Sequence, residues 1–370
     1  MRGNLHSVRS RTSRGLLPVL AAVALLTAAC GGGDTAAPAP APAPAPSTPG
    51  DTAPAPEGPT TVDVVVSNYP VLHYATPFLV GIENGLFEAE GVEIGEITGG
   101  AGGGAVLRNV LAGDIGFAFV AASAVVQGYL AGAPIVAIGG GIETVNELEF
   151  MTSPLLSGVN TFEDLRDLGR PVRCGFSNPG AVTEALCYGL ANHLGLSIPD
   201  QLEPIAAGGV GEGIPLLIDG TLDIFPIPEP LPTLRGEGLG PSLGSAGTFM
   251  PNLQQLIAVT SPQFLEENQD VLEAIMRGLN SSIDLLYADL DGAIALYTAN
   301  AEIDEQAVRN TMALVTGGND YNVGIRAESL EVFDVIIEQS AGISNVPWSE
   351  VFDTRVMRAL GLDYPAFLDD

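Results

Sequence analysis

The residues best suited to chemistry are few, and they are grouped. Asn68-Tyr69-Pro70-Val71-Leu72-His73-Tyr74 carries an amide, two phenols and an imidazole in one short stretch. Such a set can stack on a planar group and hydrogen-bond to it, through Tyr69 or Tyr74 and through His73 or Asn68. His73 suits helix capping or packing equally well. A glycine run follows, Thr98-Gly99-Gly100-Ala101-Gly102-Gly103-Gly104-Ala105. Its Gly100–Ala105 portion fits a dinucleotide fingerprint literally. That reading is rejected, because the next strand ends in Val120-Ala121-Ala122-Ser123, with no acid for a ribose. Bare glycine N–H groups at a helix start, around Gly100 and Gly102, still offer donors to an anion or a carbonyl oxygen. Ser123 and Ser177-Asn178-Pro179-Gly180 are further helix starts after strands. There Ser177 or Asn178 either caps the helix or meets a ligand. Glu229, held between Pro228 and Pro230, is either a solvated loop acid or a carboxylate of a cleft or hinge.

Composition narrows the chemistry. Hydrophobic residues make up 46% of the 370 and charged residues 16%, enough apolar side chain for a real core. Asp and Glu number 44 against 14 basic residues, a formal charge of −30, and every basic residue is Arg. No basic face exists for nucleic acid, and Lys-dependent chemistry is excluded. No G-x-S-x-G nucleophile elbow is present. Cys174 and Cys187 lack a third Cys or a spaced His for a metal. Neither catalysis nor a cofactor is expected. The acidic, Tyr-containing loops, with only Arg108 and Arg173 near them, favour a neutral or cationic, partly aromatic ligand over a small anion.

The elements that position these residues begin after a leader. Arg2, Arg9, Arg11 and Arg14 precede the uncharged run Gly15–Ala29 and Cys30. Fifteen apolar residues are too few for a membrane span and suit a secretory h-region. Leu25-Leu26-Thr27-Ala28-Ala29-Cys30 resembles a bacterial lipobox, with Thr27 where Leu is usual. Residues 1–29 are therefore expected to be a lipoprotein signal peptide with Cys30 the acylated first mature residue. Their removal takes four Arg and no acid, making the mature chain still more negative. Residues 30–60, with the Ala-Pro repeat Ala37–Pro46, form a tether near polyproline II.

From residue 61 strands and helices alternate. Thr61–Ser67 reads as a buried strand and Tyr74–Glu90 as a helix. Val92–Ile97, Ile115–Val120 and Ile135–Ile138 continue as strands, with helices at Gly104–Ala112 and Ala121–Ala131 between them. A second α/β unit holds strands at Pro171–Phe176, Leu202–Ala206 and Leu222–Ile227. After Leu256–Thr260 the chain is mostly helical. This order predicts a discontinuous lobe, 61–157 with 239–370, and an inserted lobe, 158–238. Ligands then belong at the carboxyl ends of parallel strands, in the crevice between lobes. Strand and helix rise bring Cys174 and Cys187 to similar height, as a disulfide or as two buried thiols.

Gly81-Ile82-Glu83-Asn84-Gly85-Leu86-Phe87-Glu88 with Gly91-Val92-Glu93, then Leu111-Ala112-Gly113-Asp114-Ile115-Gly116, follow a familiar order. So do Val159–Phe176 and Asp219-Gly220-Thr221-Leu222-Asp223 with Pro228-Glu229-Pro230. Together they resemble the periplasmic substrate-binding proteins of ABC importers, in the group for sulfonates, taurine, nitrate and thiamine-precursor pyrimidines. The resemblance implies a two-lobed periplasmic-binding-protein fold, type II-like, each lobe a mainly parallel sheet flanked by helices. It implies a monomer that captures a small molecule, hands it to an ABC permease and stays outside the cytoplasm on a lipid anchor. A sensor subunit, or a pyrimidine-synthase-like enzyme of the same fold, is the alternative. Cys30→Ala should move the protein from the membrane to the soluble or unprocessed fraction, read by fractionation and blotting; unchanged membrane association would contradict the lipobox reading.

Overall fold

The computed structural model describes residues 59–100, 102–112 and 115–369, all within one compact unit. The leader, residues 30–58 of the tether with Cys30, Ala101 and Gly113-Asp114 lie outside the described residues; the end of the expected tether, Thr60, already begins β1. No helix among the described residues is long and apolar enough to cross a membrane.

Two sheets organise the chain. The first has the order β11-β4-β10-β3-β1-β2. Its strands are β1 (Thr60–Ser67), β2 (Val92–Gly100), β3 (Phe117–Ala121), β4 (Val136–Glu143), β10 (Gln254–Thr260) and β11 (Tyr321–Asn322). The second, order β7-β6-β8-β5-β9, contains β5 (Leu148–Thr152), β6 (Val172–Phe176), β7 (Leu202–Ala206), β8 (Ile224–Pro228) and β9 (Ser242–Ser245). From Val64 onward β1 is buried on both faces, as a Val run covered by helices should be. Helices α1 (Thr76–Glu83), α2 (Gly103–Ala112) and α3 (Ala122–Leu130) serve the first sheet. Helices α4 (Val182–Leu194), α5 (Val210–Ile218) and α6 (Leu231–Arg235) serve the second. The remaining helices are α7 (Pro262–Glu267), α8 (Gln269–Ala288), α9 (Leu290–Ala301), α10 (Glu305–Gly317), α11 (Ala327–Ala341), α12 (Trp348–Val351) and α13 (Arg355–Leu360). In α8, Leu272, Ile275, Met276, Leu279, Ile283 and Leu286 recur at helical spacing and are buried as one stripe.

Three points bear on the expectations. First, each sheet has most of its strands running one way, as expected, with β10 and β11 reversed in the first sheet and β5 in the second. β1 pairs in parallel with β2 and β3, but β10 is antiparallel to β3 and β4, and β11 is antiparallel to β4. Likewise β6 is parallel to β7 and β8, while β5 runs antiparallel to β8 and β9. The parallel strands are the β-α-β units; β5 and β10, reversed, stand where the chain passes between lobes, while β11 edges the first sheet. Second, the inserted lobe is larger than 158–238. Because β5 and β9 pair inside the second sheet, the crossings fall at residues 144–147 and 246–253. Third, the helix expected over Tyr74–Glu90 breaks. A 3₁₀ turn spans His73–Ala75, α1 ends at Glu83, and Gly85 takes a left-handed φ of 65°.

Thr144, in the first crossing, also has a left-handed φ, 62°. A β-branched residue there is strained by about 1–3 kcal/mol, so the crossing is held by its surroundings. Inside the second lobe, Asp223 is nearly buried beneath Arg170 and Arg173, at 2.6 and 2.7 Å. Burial would raise its carboxyl, yet the two guanidinium groups hold it at about 2. That pairing ties the start of β6 to the start of β8.

Cys174 and Cys187 are joined by a disulfide with Cα atoms 6.0 Å apart, linking β6 to α4. It closes the segment that carries Ser177 to Gly180. With a sequence separation of 13, chain entropy assigns it about 3 kcal/mol. Urea unfolding with and without reductant should differ by up to that amount; equal midpoints, or two free thiols in the oxidised protein, would contradict the linkage.

Candidate functional site

The carboxyl ends of the parallel strands from both sheets face one cleft. An inner cavity of about 30 Å³ lies there, room for one or two water-sized groups. Its lining includes Ser67 and Asn68 after β1, Gly102 and Gly103 at the start of α2, and Ala121, the N-cap of α3. From the second lobe come Ser177, Ala181, Val182 and Thr183 at the start of α4, and Val210, the first residue of α5. Four helices thus begin at one cavity. Among the described residues no side chain bonds at the N-cap of α3, α4 or α5, although Glu184 in the first turn of α4 accepts the Gly180 N–H at 2.7 Å. First-turn N–H groups have no partner within a helix, and helix N-termini carry partial positive charge. Ser67, 2% exposed, adds a hydroxyl that has no hydrogen-bond partner among the described residues.

A wider cavity of about 440 Å³ opens outward from Asn68. Tyr69, Leu72, Gly100, Leu231, Glu212 and Arg235 are among its walls. Tyr69 is fixed there, its hydroxyl donating to Asn300 Oδ1 at 2.9 Å. Gly99 allows that approach, since a β-carbon on it would come within 2.7 Å of the Tyr69 carbonyl. Glu212 folds back toward Gly209 at the start of its own helix.

Behind the inner cavity sits a buried polar cluster on the hinge. The Tyr74 hydroxyl donates to Glu147 Oε1 at 3.3 Å and accepts from Gln255 Nε2 at 2.7 Å. Gln255 Nε2 also reaches Glu147 Oε1 at 2.7 Å. His73, fully buried, places Nδ1 2.8 Å from the Tyr321 hydroxyl and Nε2 3.4 Å from Glu147. Glu147 lies on the first crossing and Gln255 on β10 just after the second. The cluster therefore clamps both hinge strands to the first lobe. Burial, and then the charge of Glu147, push Asp320 up to about 8. Burial also raises Glu143 against the opposing pull of Arg326, 2.7 Å away.

Of the residues expected from sequence, Asn68, Tyr69, Tyr74, Gly100, Gly102 and Ser177 line the cavities. The others do not. His73 is aimed inward by its 3₁₀ turn and belongs to the hinge cluster. Ser123 Oγ donates to the Gly180 carbonyl at 2.9 Å and so joins the lobes. Asn178 sits in the turn that meets Gly102. Glu229 is half-buried, its carboxyl raised chiefly by burial, and its N–H donates to the Glu147 carbonyl at 2.9 Å beside the hinge. Sequence reasoning missed Ser67, Thr183, Val210 and Arg235. The strand-end rule could have found Ser67, which ends β1, and Val210, which starts the helix after β7. The acidic lining is confined to the outer cavity, where Glu212 stands on the wall; the inner cavity is lined by Ser67, Asn68, Tyr74, Ser177 and Thr183 together with apolar Leu148, Val182, Val210 and Leu256. Among the described residues no group of three His, Cys, Asp or Glu could hold a metal ion.

Two sheets, two crossings and a cleft fed by helix starts define a two-lobed fold of the periplasmic-binding-protein class. The NMT1/THI5-like family matches residues 73–293, more than half of the chain, and the protein belongs to that family. No curated protein sequence matches. Solved structures show the same fold at low identity. A ligand-binding component of an ABC-type import system from Staphylococcus aureus is 13% identical, with TM-score 0.67, covering 81% of this chain and 98% of its own. The alkanesulfonate-binding protein SsuA from Xanthomonas axonopodis, bound to MOPS, is 16% identical, with TM-score 0.61 and coverage of 84% and 100%. The nitrate-binding protein NrtA from Synechocystis is 12% identical, with TM-score 0.57 and coverage of 73% and 74%.

The hinge acids set a pH dependence. A carboxyl raised by folding stabilises the protein fully below its unfolded value near 4 and loses that contribution as pH climbs to its folded value. For Asp320 the window is about pH 4 to 8, with a slope of up to about 1.4 kcal/mol per pH unit. Asp320→Asn should flatten the decline in unfolding free energy across that window. An unchanged slope in denaturant titrations at several pH values would contradict a neutral buried Asp320.

Proposed function

We propose that this chain is an extracytoplasmic solute-binding lipoprotein that captures a small organic anion between its lobes and delivers it to an ABC import permease. The observation that carries the reading is the meeting of four helix N-termini with the buried, unpartnered Ser67 hydroxyl. Those donors suit an acidic head group such as a sulfonate or a carboxylate. The wider outer cavity suits the rest of the molecule, with apolar walls at Leu72 and Leu231 and Arg235 at the edge. The sulfonate- and nitrate-binding neighbours of the same fold support an anion, and the import-system neighbour supports binding rather than catalysis. The leader, the lipobox-like Leu25–Cys30 and the Ala-Pro tether support anchoring outside the cytoplasm.

Binding needs residues of both lobes, so ligand favours the closed arrangement by its contacts there. A thermal-shift screen with methanesulfonate, MOPS, nitrate and acetate tests the ligand class. An anion at one hundred times its Kd should stabilise the protein by about 2.7 kcal/mol. Ser67→Ala should weaken that anion roughly tenfold or more, without lowering the melting temperature of the free protein. Stabilisation by cations or neutral aromatics alone, or full affinity in Ser67→Ala, would overturn the reading.

A further inference from the structure

The glycine run has a role that neither a phosphate loop nor a ligand contact explains. On one side of the cleft the two lobes touch main chain to main chain. Gly104, at the second position of α2, faces Pro179 of the second lobe so closely that a β-carbon would overlap the Pro179 carbonyl oxygen. A β-carbon on Gly103 would come within 3.0 Å of the Gly180 carbonyl, and one on Gly102 within 3.1 Å of Ser177 Oγ. The opposite surface is shaped to match. Gly180 has φ 81°, and a β-carbon there would lie 3.2 Å from Ala124 Cα of the first lobe. Ser123 Oγ then donates to the Gly180 carbonyl at 2.9 Å, a direct hydrogen bond between the lobes.

We propose that Gly104, with Gly102 and Gly103 beside it, is the closure surface of the molecule, an intramolecular latch that admits the Ser177–Gly180 turn and holds the two halves of the cavity in register. The inference goes beyond the binding function and depends on no particular ligand. It makes Gly104 a positioning residue: it acts by letting Ser177, Val182 and Thr183 approach Ser67 and Gly103 across the cleft.

Gly104→Ala separates this role from a structural one. Inside α2, alanine is the better helix former, so the first lobe should keep or gain stability. After the Pro179 carbonyl, the nearest atom a β-carbon would meet is an Arg108 guanidinium nitrogen at 3.7 Å, so the first lobe itself has room. The cost falls only on the closed state, and because the opposing atom is main chain, no rotamer change relieves it. Gly103→Ala is the poorer test, since its β-carbon would also overlap the Ala121 side chain of its own lobe.

The measurement is a distance distribution by pulsed electron resonance on the full chain, without added ligand. Spin labels are introduced as non-cysteine side chains at exposed Leu155 in the second lobe and Leu314 in the first, which leaves the disulfide intact. Wild type should give a population at the short, closed distance. Gly104→Ala should shift the open-to-closed ratio roughly tenfold or more toward longer distances, with an undiminished melting temperature. Ser123→Ala should move it in the same direction by less. Identical distributions in wild type and Gly104→Ala, or a wild type with no closed population, would overturn the latch. A failed anion screen with a Gly104→Ala shift still present would refute the ligand class and leave the latch standing.

Discussion

Positive ends of helix dipoles repel one another, yet α2 and α3 from one sheet and α4 and α5 from another begin at a single inner cavity. Each terminus carries roughly half an elementary charge. Gathering four of them is unfavourable unless negative charge or strong acceptors stand between them. The rest of the fold serves this constraint. The β-α-β order delivers helix starts to the carboxyl ends of β1, β2, β3, β6 and β7. Strands β5, β9 and β10 bring the chain from one lobe to the other and back. The protein is strongly acidic, but the residues lining the inner cavity are uncharged, so the overall charge says little about what it holds.

Holding those termini together needs a hinge and a contact edge. The hinge is polar and buried. Glu147, Gln255, Tyr74, His73 and Tyr321 form one hydrogen-bonded group across both crossings. Such a network specifies an arrangement more than it adds stability, because each member left unpaired would be costly. The raised Asp320 and Glu143 beside it show what that burial costs the acids. The edge is the reverse, almost without side chains: glycines of α2 against the Ser177–Gly180 turn, whose own geometry is fixed by Thr183. Its Oγ1 accepts from the Ser177 N–H at 2.9 Å, and the Cys174–Cys187 bond spans both residues.

Much of this was legible in the sequence, and the parts that were not share a cause. Leu202–Ala206 is legible to the residue because turns bound it on both sides and it follows α4 in a β-α-β unit. The helix starts at Ser177–Gly180 and after Gly102 were visible for the same reason. The lobe boundary was missed because β5 and β9 are short strands whose partners are set by topology, not by their own pattern. His73 looked like a ligand residue because its chemistry is versatile; only the 3₁₀ turn at His73–Ala75 shows that it points toward Tyr321. From sequence the glycine run reads only as bare main-chain donors at a helix start. Its meaning depends on Pro179 and Gly180, far along the chain, and no local signal reports that. Side-chain counts favour a neutral or cationic ligand, and they take no account of the four helix ends on which the proposed anion rests.

The account stands or falls on what occupies the inner cavity. A crystal structure of the protein with a bound sulfonate tests it most directly. The account predicts the acidic oxygens at the inner cavity, within hydrogen-bond distance of Ser67 Oγ and of main-chain N–H groups at the starts of α2 and α4, with the organic part in the outer cavity. A ligand held only in the outer cavity by Arg235, or turned so that its acidic group faces away from the helix starts, would contradict it.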